Sequence, residues 1–258
     1  MPLTQFAKTA IINHGFKQIA YSPANSTVWL AFFTSVTGLE TGTLTNESSD
    51  MGRTIIPFSA SSSVTERAVL NSTAFSVTAT TGGEILTHWG ITDSASAGNL
   101  LLYGPLDNGI TTTASGDVDI EIASIGTQWD QAGLQCLTKY FIDEMMDLMF
   151  ADPGTAFAAP AATYVSLHTA TSFTGANEFT DPAYSRQLPA LGSTAIVSGN
   201  ARVTTTSDIT WADQVDTPGA QWAVWDASTA GNCLAFFDCP DVALQQDFIL
   251  PSGAYIEV

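Results

Sequence analysis

Basic side chains are scarce in this chain. Seven lysines and arginines face 25 acidic residues, a formal net charge of −18. Nucleic-acid binding needs basic groups to displace counterions from phosphates, so that class of function is excluded, and anionic membrane surfaces are excluded with it. The acidic excess instead keeps a folded chain soluble and weakly self-repelling. No run of about 18 apolar residues is present, so no transmembrane helix is expected. The start Met1-Pro2-Leu3-Thr4-Gln5 has neither a basic stretch nor a long apolar core, so no signal peptide is expected.

Residues that carry chemistry are equally sparse. The three cysteines, Cys136, Cys233 and Cys239, have no metal-site spacing. Cys233 and Cys239 could face each other across a hairpin, but free buried thiols in a reducing cytoplasm are the expectation. His14, His88 and His168 are the only histidines, and no two share a metal-binding spacing. Neither a nucleophile elbow, nor a phosphate-cradling loop, nor a dinucleotide fingerprint is found. No catalytic residue, metal ligand or cofactor-binding residue is therefore assigned. Asp117, Asp119 and Glu121 alternate along one strand and could together hold Ca²⁺. A solvated strand face is the expected reading, because only Glu257 recurs later in the chain. Without a signal peptide, the sequons at Asn25, Asn46 and Asn71 are expected to be ordinary loop residues.

What the chain does contain is a repeat. His88-Trp89-Gly90-Ile91-Thr92-Asp93-Ser94-Ala95-Ser96-Ala97-Gly98-Asn99-Leu100-Leu101 returns as Gln221-Trp222-Ala223-Val224-Trp225-Asp226-Ala227-Ser228-Thr229-Ala230-Gly231-Asn232-Cys233-Leu234, without a gap and at an offset of 133 residues. A period near half the chain is far too long for a solenoid unit and indicates two copies of one domain. The copies are expected at 1–128 and 129–258. The first holds four basic and ten acidic residues, the second three and fifteen. Arg53 and Arg186 also recur at the same offset.

Each copy opens on a helical pattern, over 3–19 and 134–150, with apolar residues three and four apart. Pro-containing loops stop these helices. A strand follows in each, Trp29-Leu30-Ala31-Phe32-Phe33-Thr34 and Tyr164-Val165-Ser166-Leu167-His168-Thr169. Short apolar runs separated by Gly, Pro, Asn and Asp fill the rest. The expected fold is mainly β: two tandem homologous β-sandwich or barrel-like domains, each preceded by one N-terminal α-helix. The Met-rich stretch at 145–149 is expected to pack onto its own domain, with an interface as the alternative.

The repeated segment reads as a structural hairpin with a longer loop. Trp89 and Trp222 lie on its first strand and are expected to be buried. Asp93 and Asp226 begin the turn and bond amides ahead of it. Gly98 and Gly231 supply positive φ, and Asn99 and Asn232 tolerate it. Carbohydrate binding by exposed Trp and Asp is the alternative use of such residues.

The layout resembles phage virion structural proteins of the tail-fibre-like or accessory type. The resemblance is carried by Tyr164-Val165-Ser166-Leu167-His168-Thr169-Ala170, Tyr184-Ser185-Arg186 and the segment 225–232, and in the first copy by 88–102. Ala223 departs from the usual glycine. The family carries no catalytic residues to transfer. It implies a non-enzymatic virion subunit, assembled in the host cytoplasm, with other capsid or tail proteins as partners. A homo-oligomer or pseudo-symmetric assembly fits a duplicated domain. Without heptads or stalk repeats, capsid decoration is preferred here over a tail fibre. The alternatives are a tail-fibre adhesin binding host polysaccharide, with Trp129, Trp211 and Trp225 as exposed candidates, and a depolymerase. The latter lacks paired carboxylates at a recognisable spacing.

Overall fold

A computed structural model describes residues 3–19, 21, 27–58, 67–121, 126–129, 137–150, 158–170, 176–180, 182–212, 221–238 and 247–258. The chain is mainly β, with a helix opening each copy. Helix α1 spans Gln5–Phe16 and α2 spans Lys139–Phe150. The strands of the first half are β1 (Trp29–Phe33), β2 (Thr54–Ile55), β3 (Arg67–Leu70), β4 (Phe75–Thr78), β5 (Gly82–Thr92), β6 (Leu100–Thr113), β7 (Asp117–Ile120) and β8 (Gly126–Trp129). Those of the second are β9 (Tyr164–His168), β10 (Ala195–Val197), β11 (Asn200–Thr204), β12 (Ile209–Trp211), β13 (Gln221–Trp225), β14 (Cys233–Asp238), β15 (Phe248–Leu250) and β16 (Tyr255–Glu257).

Two compact units result. Unit 1 comprises Met1–Ala10, Ser22–Asp130 and Met145–Phe157; unit 2 comprises Ile11–Tyr21, Gln131–Glu144 and Ala158–Val258. In unit 1 the central sheet has the order β2-β1-β5-β6, beside the pairs β3-β8 and β4-β7. Unit 2 has β14-β13-β9, β10-β11-β16 and the pair β12-β15. Every pairing is antiparallel. The sheets described are open, so the sandwich alternative to a barrel is the nearer description.

The strand that follows each helix pairs with the first strand of the hairpin, β1 with β5 and β9 with β13. All five residues of β1 are buried, and so are the last four of β9. Consecutive buried positions mean that both faces are covered, which accounts for the continuous apolar run of β1 in place of alternation. The hairpin β5–β6 pairs Trp89 with Gly104 and Ile91 with Leu102, and β13–β14 pairs Trp222 with Phe237 and Val224 with Ala235.

Each hairpin carries a bulge at the matching place. The register skips Leu101 between Ile91 and Thr92, and skips Leu234 between Val224 and Trp225. A bulge leaves its extra residue outside the ladder. Here the freed carbonyl receives a helix start. The Thr4 N–H donates to Leu101 O at 3.0 Å, and the Thr138 N–H donates to Leu234 O at 2.9 Å. The same threonines cap their helices: Thr4 Oγ1 accepts from the Ala7 amide, and Thr138 Oγ1 from the Phe141 amide, each at 3.2 Å. Threonine is favoured at this position because its oxygen satisfies an amide that the helix leaves unpaired. The helices also present the apolar face that their spacing predicts. Ala7, Ala10 and Ile11 are buried in α1, and Phe141, Met145 and Met149 in α2.

Candidate functional site

The most detailed geometry of the chain lies at the two hairpin turns. The Asn99 amide donates to Asp93 Oδ1 at 2.7 Å and the Asn99 side-chain amide donates to Oδ2 at 2.8 Å. Asn232 does the same to Asp226, at 2.7 and 2.8 Å. The aspartate amides donate back to the asparagine carbonyls at 3.1 and 3.2 Å. Positive φ falls on Ala97 and Gly98 in one copy (51° and 74°) and on Ala230 and Gly231 in the other (51° and 75°). The asparagines therefore serve as side-chain partners of the aspartates. The left-handed positions of these turns belong to the Ala-Gly pair. A Cβ on Gly98 would lie 2.5 Å from Asp93 Oδ1, and one on Gly231 would lie 2.4 Å from Asp226 Oδ1.

An arginine clamps each turn from outside the hairpin. Arg53 Nη1 donates to Ser94 O and Ala97 O, both at 2.6 Å. Its other edge grips Glu47 in a two-pronged pair at 2.6 and 2.7 Å. Arg186 Nη1 donates to Ala227 O and Ala230 O at 2.9 and 2.6 Å, and its other edge grips Glu178 at 2.8 Å twice. The arginine side chains are 5% and 6% exposed. A planar guanidinium suits this role because one rigid fork can serve a carboxylate and two carbonyls at once. The recurrence of Arg53 and Arg186 is visible in the sequence, but their carboxylate partners are not. Glu47 and Glu178 recur at a different offset from the arginines.

Around this shared frame the two copies differ. In unit 2, Trp225 Nε1–H donates to Ser166 Oγ at 2.7 Å, and Ser166 Oγ and His168 Nε2 are 2.7 Å apart. His168 Nδ1 lies 2.8 Å from the Ala176 carbonyl, which can only accept. That fixes the proton on Nδ1, and Ser166 donates to Nε2. Burial pushes the His168 pKa down, and the Arg186 charge adds to this against the Ala176 bond and Glu178. Glu178 loses hydration, but the bonds and charge of Arg186 and the Tyr184 hydroxyl outweigh that and hold its pKa below the ordinary value. Strand register places Ala31, Phe33 and Thr92 of the first copy where the second has Ser166, His168 and Trp225. Ala31 and Phe33 join Leu39 and Leu100 in an apolar cluster there.

A serine beside a histidine has the chemistry of a nucleophile and base. Ser166 and His168 are both fully buried, however, and the serine hydroxyl and both ring nitrogens are engaged within the core. The arrangement is a satisfied polar core, and it offers no surface to a substrate. His88 sits elsewhere, half-buried, with its Nδ1 2.9 Å from Thr87 Oγ1. His14 accepts the Tyr21 amide at 2.9 Å. No cluster of three potential metal ligands occurs among the described residues.

Several expected side-chain positions need correction. Trp211 is 2% exposed and Trp225 is 7% exposed, so neither is an exposed stacking platform. β13 is buried along its whole length, and the covered face of β12 is the one that carries Ile209 and Trp211. The Trp129 side chain, Cys136 and Cys239 lie outside the described residues. Trp222 is buried as expected, but Trp89 is half-buried, lying over Gly104. Asp117 and Asp119 are exposed and accept from the Thr78 and Ser76 hydroxyls across the strand pair, each at 2.6 Å.

Unit 2 also contains an open groove of about 600 Å³, lined by Trp222, Phe237, Pro251, Tyr255 and Glu257 among others. Trp222 and Phe237 stack at 4.2 Å and 20°. Tyr255 is 46% exposed, with the Arg202 guanidinium 4.0 Å from its ring centroid. Arg202 is paired with Glu257. The sequence reading missed this groove, because Phe237 occupies the place that Gly104 takes in the first copy.

The family model described as Gp80: Podophage GP4 fiber I protein gp80 matches residues 2–128 and 137–241. No curated protein matches the chain.

Proposed function

The chain belongs to the podophage GP4 fiber I protein gp80 family, and on that premise we propose that it is a non-enzymatic structural subunit of a phage fibre. It is a virion component, and a phage fibre protein associates with other components of the particle. The observation that carries the proposal is the contrast between the two hairpins. Their turn bonds agree to within 0.1 Å, and each turn has its arginine clamp and its capped helix. The groups that could do chemistry differ between the copies: His88 stands opposite Phe33, whereas Gln221 stands opposite His168. Duplication has kept a scaffold and let the chemistry vary, as expected of a part whose role is shape and attachment.

The family description favours a fibre over capsid decoration. Decoration has only negative support, the lack of heptads and stalk repeats in this sequence. Two similar surfaces on one chain suit pseudo-symmetric contacts with neighbouring subunits. Immunogold labelling of purified particles tests the assignment. Label on the fibres supports it, label on the head alone supports decoration, and particles without label overturn both. Hydrolysis of host surface polysaccharide by the purified chain would overturn the non-enzymatic assignment.

The groove favours a second reading, in which the same subunit holds a host glycan. An exposed tyrosine ring beside paired polar groups suits an uncharged sugar, since Arg202 and Glu257 already neutralise each other. Glycan-array binding that is lost on Tyr255→Ala would support this, and an array without signal would remove it.

A further inference from the structure

Gly15 stands one residue before the end of α1, where alanine would serve the helix better, since glycine costs backbone entropy there. The reason for it lies at Phe141. A Cβ on Gly15 would fall 2.3 Å from Phe141 Cζ and 2.4 Å from Cε2, and Gly15, Phe16 and Phe141 are all buried. The Phe16 and Phe141 rings meet at 5.1 Å and 48°. The Phe16 carbonyl, left over at the helix end, accepts from Thr163 Oγ1 at 3.1 Å. Thr194 Oγ1 donates to Asn13 Oδ1 at 2.6 Å. The amides of Lys17 and Ile19 both return to the Asn13 carbonyl, with Gln18 at φ 56° closing the helix. All of these residues lie within unit 2, although Ile11–Tyr21 comes from the first repeat of the sequence.

We propose that unit 2 carries a seat for the C-terminal end of an α-helix, built from Phe141, Thr163 and Thr194, and that its occupant is the 11–21 segment of this same chain. The second copy is completed by residues encoded in the first. Duplication has thus made a reciprocal folding dependency, since unit 1 likewise includes Met145–Phe157 of the second repeat, and neither copy is an autonomous module. Three features specify the occupant: a helix-terminal glycine for the Phe141 ring, a last carbonyl that Thr163 shares with the Gln18 side chain, and an asparagine one turn earlier for Thr194.

The test uses the full chain. Helix propensity alone predicts that Gly15→Ala raises the melting temperature, whereas an occupied seat predicts that it lowers it. Phe141→Leu shortens the side chain that fills the space, and in that background Gly15→Ala is expected to raise the melting temperature. Amide exchange in Gly15→Ala is expected to speed up roughly tenfold in β9 and β13 while β5 and β6 keep their protection. An effect of the same sign in both backgrounds, or protection lost first from β5 and β6, overturns the proposal.

Discussion

The Arg186 guanidinium carbon lies 3.6 Å from the centroid of the Trp225 ring. Stacked there, the arginine also holds two turn carbonyls and the Glu178 carboxylate. A charge that is 6% exposed and makes this many contacts cannot be removed cheaply. Arg186→Ala is expected to cost about 2–4 kcal/mol of stability in unit 2, below the full penalty for breaking a buried pair because Glu178 keeps some contact with water. Arg53→Ala is expected to cost slightly less, by the roughly 0.5–2 kcal/mol that stacking on an aromatic ring adds. Arg186→Lys should show most of the same loss, since a lysine cannot serve a carboxylate and two carbonyls together. Urea denaturation of the three variants measures the order.

The hairpins were legible in the sequence because their essential residues are close together. Asp93, Gly98 and Asn99 lie within one turn, and the repeat at Asp226, Gly231 and Asn232 shows them twice. The helices were legible from the spacing of their apolar residues. The carboxylates of the two clamps were not, since Glu47 and Glu178 fall out of step with the arginines they grip. The threonine caps were hidden for another reason: Thr4 and Thr138 are recognisable as caps only once the bulges at Leu101 and Leu234 free a carbonyl for them. Burial of Trp211 and Trp225 depends on which elements cover each strand face, and short strands do not encode that.

Glycine at the turns is open to a direct test. Gly98→Ala and Gly231→Ala each place a methyl group about an ångström too close to an aspartate oxygen, at a φ that disfavours side chains. Each is expected to cost about 1–3 kcal/mol. Because the two turns have the same geometry, the two losses should match within about 0.5 kcal/mol and add in the double variant. Thermal melts of the single and double variants decide it.

The caps should behave in the same paired way. Thr4→Ala and Thr138→Ala each remove an oxygen that accepts a helix amide, together with a hydroxyl that donates to the carbonyl of Leu100 or Cys233. An expected loss of about 1–2 kcal/mol each follows from the usual worth of a cap. Thr→Ser should restore most of it, because serine keeps the oxygen. Chemical denaturation of the four variants measures both statements.

Acid should weaken unit 2 through His168. Its folded pKa lies below the ordinary 6.5 because of burial, so the folded state binds fewer protons than the unfolded state. The stability from its neutral form is fully present above about pH 6.5 and is lost as the pH falls from there through the lowered folded value. Glu178, also lowered, adds a second loss at more acidic pH, below its ordinary 4.5. His168→Phe, which copies Phe33, should flatten the first decline and leave the second. Denaturant midpoints taken from pH 8 to pH 4 would show it, and an unchanged slope between pH 6.5 and 5 would count against the role of His168.

Cys233 should be inert. Burial pushes its thiol up to about 12, with Arg186 opposing the shift and Glu178 supporting it. In a chain carrying Cys136→Ser and Cys239→Ser, a thiol reagent at pH 8 should leave the native protein unlabelled and react fully after denaturation.

The structural role itself is tested most directly by electron cryo-microscopy of intact particles. The account predicts fibre density that accepts both units of this chain, with the two Arg-clamped hairpins ordered. Density for the chain on the capsid surface alone, or particles complete without it, would contradict the account.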